Sequence, residues 1–246
     1  MKRFLLKIEY DGTQFVGWQR QTNGLGVQEV IENAVEQLSN EKVFVQCAGR
    51  TDSGVHALGQ AAHFDLSQDW EPNKLRDGIN YYLKKFDVSI IKAHQVDKTF
   101  NARFNAIQRS YEYLILNRRP PAAINRGKVW WVPVKLDTNV MQQAGRILVG
   151  KHDFSTFRAS ECQSRSPIKT LDKLTITNDG DQIRIIVSAR SFLYHQVRNM
   201  VGTLRLVGEK KWTLERFESA FDARDRSSGG PTAPACGLYF TDVKYV

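Results

Sequence analysis

The hydrophobic patterning predicts an α+β chain built from two successive strand–helix–strand–strand–helix–strand units. Three observations carry this expectation. Period-two strands and helical stripes alternate in that order over about the first 97 residues. The same order recurs, with insertions, in the second half. A length of 246 residues with 41% hydrophobic content suffices for one large domain or two of roughly 100–150 residues each. The element order is the split βαβ arrangement of ferredoxin-like domains. The expected domains are 1–100 and 101–246, with a basic cleft between them.

Each element has a local reason. "RFLLKIEYDG" alternates as a strand, and Val27, Val30, Ile31, Ala34, Val35 and Leu38 form a helical stripe. "KVFVQCAG" and "QAAHFDL" read as strands around a glycine-bracketed turn; 73–83 reads as a helix and "DVSIIKAHQV" as a strand. "KTFNARFNA" leads into a long strand, "IQRSYEYLILN". "RRPPAAINRGKVWWVPVKLD" carries three prolines and is expected to be a surface excursion. A helix over 138–149, two strands joined at "DGD", helices over 194–207 and 214–223, a loop "RDRSSGGPTAPACG" and a last strand "LYFTDVKYV" complete the second unit.

Charge narrows the partner. The chain carries a net charge of +9, spread along its length rather than held in a tail. A positive folded surface attracts phosphate backbones through counterion release. No apolar run approaches the ~18–20 residues of a membrane span, and Lys7 and Glu9 interrupt the N-terminal apolar stretch, which reads as a strand rather than a secretory signal. Cys47, Cys162 and Cys236 are widely spaced and odd in number, supporting neither a disulfide framework nor a zinc site. The expected location is cytoplasmic, with no membrane association.

Several residue groups are candidates for chemistry. Asp52, in "CAGRTDSGVHALGQAAHF", is either an ordinary Asx-turn residue or a reactive carboxylate presented at a strand end. A carboxylate that must stay ionised needs a cation beside it; Arg50 is near in sequence, and grips phosphate in the alternative reading. His195, Arg198, Gly202 and Arg205 form a polar stripe on a helix, which is either solvated or approached closely at Gly202 by a ligand or another chain. Arg109, Tyr111, Tyr113 and Ile115 share one strand face, where a tyrosine either packs in the core or stacks on a nucleobase. His56 and His63 with Asp52 match no metal-ligand spacing, and phosphate-loop, dinucleotide and nucleophile-elbow motifs are missing from the sequence.

With these residues assembled, the chain resembles the TruA family of tRNA pseudouridine synthases. The resemblance rests on "YDGTQFVGWQRQ", "GRTDSGVHALGQAAHF", "FNARFNAIQRSYEYLI", "HDFSTFRASECQSRSPIKTL", "FLYHQVRNMVG" and "APACGLYF", in the family's order and spanning nearly the whole chain. Ser53 stands where alanine is commoner. The resemblance implies a metal- and cofactor-free isomerase that converts uridine to pseudouridine at positions 38, 39 and 40 of the tRNA anticodon stem-loop. It implies a homodimer whose domains share a continuous, mainly antiparallel sheet with helices on one face. The family's essential aspartate falls on Asp52, its pairing arginine on Arg198, its stacking tyrosine on Tyr111, its pocket leucine on Leu238 and its nucleotide-holding arginine on Arg50. His56 and Arg109 are further expected substrate contacts. Two other classes compete: a non-catalytic basic RNA-binding or chaperone protein of the same fold, and a hydrolase using Asp52, His56 and His63. A pure binder gains nothing from an acid that repels RNA, so Asp52 beside these cations favours the enzyme.

Overall fold

The computed structural model describes all 246 residues. The chain divides into two compact units: Met1–Arg109 with Tyr239–Val246, and Ser110–Leu238. The last strand, grouped by the sequence with the second half, thus falls with the first unit.

In the first unit, β1 (Lys2–Tyr10) pairs antiparallel with both β3 (His56–Leu66) and β4 (Val88–Val96). The short β2 (Gln46–Cys47) pairs with β3 at Ala62 and His63. With α1 (Val27–Ser39) and α2 (Pro72–Leu83), the order β4-β1-β3-β2 is the expected split βαβ arrangement. Alternate residues of β1, namely Phe4, Leu6, Ile8 and Tyr10, are at most 3% exposed, and α1 buries the predicted stripe from Val27 to Val35. The strand expected over 42–49 shrinks to two residues for a specific reason. The Val45 amide donates 3.0 Å to the Glu32 carboxylate of α1, which also accepts from Gln28 and Arg20 at 2.9 Å. Because β3 is long, a second neighbour fits on it: β10 (Leu238–Tyr245) runs parallel to it, with Tyr239 opposite His56 and Phe240 opposite Ala57.

The second unit contains β5 (Ala106–Leu116), which crosses the boundary, β6 (Trp130–Trp131), α3 (Thr138–Ile147) and β7 (Gly150–Asp153). β8 (Ile168–Asp179), β9 (Gln182–Ala189), α4 (Gln196–Gly208) and α5 (Leu214–Asp222) complete it. Strand order is β5-β9-β8-β7, with β6 beside the end of β5. The "DGD" signal resolves into a two-residue turn at Gly180 and Asp181, where Gly180 adopts φ +59°. β6 and β7 are too short to have registered as periodic segments. Phe154, Phe157, Phe217 and Phe221 cluster in this core, with the rings of Phe157 and Phe221 stacked 5.6 Å apart. No helix is long and apolar enough to cross a membrane.

Candidate active site

The turn of the first unit that carries Asp52 is built between β2 and β3. The Ala48 amide donates to Ala61 O at 2.8 Å and Gln60 Nε2 to Gly49 O at 2.7 Å, fixing where the chain leaves the sheet. It returns through a tight turn in which the Val55 amide donates 3.1 Å to Asp52 O. Gly54, third of those four residues, has φ +76°, which glycine adopts without strain. This explains the glycine after Asp52–Ser53 without appeal to function.

A second segment straps that turn down. Asp52 forms an antiparallel bridge with Gly17, and the Trp18 amide donates 3.0 Å to Thr51 O. Ser53 Oγ and the Gly54 amide both donate to Phe15 O, at 3.2 and 3.4 Å. Thr51 Oγ1 lies 2.7 Å from the Tyr10 hydroxyl, whose phenol burial pushes above its ordinary 10. Gly17 sits at φ +116°, and a Cβ there would lie 2.7 Å from Thr51 O. A Cβ on Gly12 would lie 2.0 Å from Val55 O. The motif "YDGTQFVGWQ" therefore serves as a backbone clamp around Asp52, which is half-buried; Arg50 is exposed.

Two residues expected to touch substrate are committed elsewhere. His56 is 2% exposed: the Gly12 amide donates to its Nδ1 at 3.0 Å, Asp11 Oδ1 lies 3.0 Å from the same nitrogen, and the Tyr239 ring stacks on it at 4.7 Å. Arg109 is 8% exposed and donates to the carbonyls of Ala48, Arg103 and Ala106. His56 is held against Gly12 and Asp11, and Arg109 against three backbone carbonyls at the base of the turn. His63 accepts from the Ala102 amide at 3.2 Å, and burial with the nearby Arg3 charge holds it below its ordinary 6.5. No group of three His, Cys, Asp or Glu side chains is placed to hold a metal ion.

In the second unit, Tyr111 lies on the buried face of β5 with Arg109, Tyr113 and Ile115, as the alternation predicted. Its ring meets Phe192 edge-on at 5.1 Å. Arg198 is in the first turn of α4, where its Nε donates 2.8 Å to Ala233 O and its own carbonyl accepts from the Ala233 amide at 3.1 Å. The close approach anticipated at Gly202 is made by this same chain: a Cβ there would fall 1.7 Å from Pro231 O. His195 precedes the helix as its N-cap with φ +60° rather than belonging to the stripe. Leu238, 5% exposed, opens β10.

Sequence reasoning missed the supporting residues. Asn199, fully buried, donates to Phe157 O at 2.9 Å and accepts from Thr232 at 2.6 Å and Arg226 at 3.2 Å, tying the 226–233 loop to α4. A polar residue inside an otherwise apolar helical stripe was the available signal. Asp11 and Tyr239 gave none, since their partner His56 is 45 and 183 positions away in sequence.

Comparison with known proteins bears on these motifs directly. A family model described as tRNA pseudouridine synthase matches residues 7–105 and 144–246, one stretch in each half. The protein named tRNA pseudouridine synthase A from Paramagnetospirillum magneticum is 55% identical over 245 residues, covering 100% of this chain and 96% of that protein. Its namesake from Rhodospirillum centenum is 51% identical over 245 residues, covering 100% of both chains. The one from Xanthobacter autotrophicus is 50% identical, again covering 100% of both.

Proposed function

The chain belongs to the tRNA pseudouridine synthase family and isomerises uridine to pseudouridine in tRNA; we propose that the carboxylate of Asp52 performs that isomerisation. Uridine and pseudouridine have the same atoms. The N1–C1′ bond breaks, the uracil turns, a C5–C1′ bond forms, the proton on C5 leaves and N1 ends protonated. An ionised carboxylate serves each chemical route to this outcome, as a nucleophile towards C1′ or C6 or as a base.

The observation that carries the reading is the clamp on the turn. The backbone on both sides of Asp52 is tied to Phe15, Gly17 and Trp18, while the residue is only half-buried. Catalytic groups need that combination of fixed backbone and reachable side chain. Arg198, at the position of the family's arginine, is proposed as the cation that partners Asp52. Tyr111 is proposed to stack on the target base, Leu238 to line its pocket and Arg50 to hold the flipped nucleotide. Extracting a base from its helix costs a few kcal/mol, against which stacking returns ~1–3 kcal/mol. The proposed substrate positions are uridines 38, 39 and 40 of the anticodon stem-loop, bound by a homodimer.

The test is Asp52→Asn. It keeps the shape of the side chain, so the variant binds unmodified tRNA as the wild type does and loses turnover, read as tritium released from tRNA labelled at uridine C5. Turnover near the wild-type rate in Asp52→Asn ends the assignment.

A further inference from the structure

The segment following β5 is a built, projecting cationic loop. From Arg118 to Lys135 the sequence holds five cations and no Asp or Glu. Asn117 anchors its base: Nδ2 donates to Val132 O and Val134 O at 2.9 and 2.7 Å, and Oδ1 accepts from the Leu136 amide at 3.0 Å. Trp131 Nε1 closes the neck by donating 2.9 Å to Arg118 O, and Trp130 and Trp131 pair with Ile115 and Leu116. Pro120 and Pro121 stiffen the outgoing limb. The tip is a tight turn in which the Lys128 amide donates 3.0 Å to Asn125 O and Gly127 takes φ +76°. Arg118, Arg119, Arg126 and Lys128 are exposed around it, and Ile124, 96% exposed, stands among them.

We propose that this loop is a tRNA-binding arm, with Arg118, Arg119, Arg126 and Lys128 on backbone phosphates and Ile124 against a ribose or base edge. The inference rests on the reading of the chain as a tRNA uridine isomerase and adds a contact that none of the proposed site residues makes. Charge complementarity selects the occupant. An acid-free cationic segment on a chain of net charge +9 is attracted to phosphate and repelled by a second copy of itself. Arg118 is also held within the loop, donating 3.2 and 3.4 Å to the carbonyls of Pro120 and Pro121 and pairing with Asp181 at 3.5 Å, while the base and neck rest on Asn117 and Trp131.

The experiment measures binding of an unmodified tRNA transcript across a potassium chloride series. It compares wild type with the variant carrying Arg118→Gln, Arg119→Gln, Arg126→Gln and Lys128→Gln, and with Ile124→Ser alone. Each lost phosphate contact removes roughly 0.7–0.9 from the slope of log K against log salt, so the four-site variant is expected to lose about 3. Ile124→Ser is expected to weaken binding several-fold without changing the slope. Both variants still form pseudouridine at saturating tRNA. An unchanged slope overturns the inference, as does dissociation into smaller species by sedimentation velocity with binding intact, which assigns the loop to a second copy. Should the four-site variant fail to fold, Arg126→Gln at the tip alone is expected to lower the slope by about 0.7–0.9, and no change there is equally fatal. Failure of the wild type to form pseudouridine strikes the reading of the active site instead, so the two failures are distinguishable.

Discussion

Gly12→Ala is the sharpest probe of the clamp around Asp52. The added methyl would lie 2.0 Å from Val55 O and 2.5 Å from Val55 C, both backbone atoms in the turn that carries Asp52. No side chain can rotate away, so the two segments must separate by about 1 Å to reach even a tight contact. Overpacking of this kind costs about 1–3 kcal/mol. The larger effect falls on catalysis, because the Gly12 amide also donates to His56 Nδ1 and Val55 closes the turn on Asp52 O. A displacement of about 1 Å at a reacting group costs on the order of 10²-fold in rate. Single-turnover tritium release from C5-labelled tRNA reads that loss, and tRNA affinity measured in parallel stays within a few-fold of wild type. Gly180→Ala is the control: its Cβ meets nothing within 4 Å, so only the left-handed backbone resists it, at about 1 kcal/mol, and turnover is unaffected. If Gly12→Ala turns over at the wild-type rate, the clamp does not position the carboxylate and the reasoning fails.

Two further outcomes are expected. Arg198→Gln lowers kcat with little change in tRNA affinity and Arg198→Lys recovers part of it; an unaltered kcat in the Gln variant removes Arg198 from the chemistry. The Arg3 guanidinium, bonded to both oxygens of Asp65 at 2.8 and 2.7 Å, holds that carboxyl below its ordinary 3.8. A depressed folded-state value contributes stability that is present above the unfolded value and lost as pH falls through the folded one. Asp65→Asn therefore lowers the melting temperature at neutral pH, and its deficit relative to wild type shrinks below about pH 3.8. A deficit that does not change with pH contradicts the ion pair.

Much of this molecule was legible as local pattern. The stripe from Val27 to Val35, the alternation from Arg109 to Ile115 and the turn glycine after Asp52–Ser53 each follow from what a few neighbouring residues can do. The six motifs identified the family because a reacting group needs particular residue types at close spacing, and close spacing is what a sequence displays. Tertiary structure decided which of those residues face inward to do structural work. His56 and Arg109 read as substrate contacts in the sequence; in the fold His56 lies against Gly12, Asp11 and Tyr239, and Arg109 donates to the carbonyls of Ala48, Arg103 and Ala106.

Most of the elements and the family were readable from residue order alone, because periodicity and motif spacing are local quantities. Only the fold decided that β10 lies beside β3, that Pro231 covers Gly202 and that Gly12 backs onto Val55. Those contacts join residues tens to nearly two hundred positions apart, and the geometry that makes a glycine obligatory there exists only once both segments are in place.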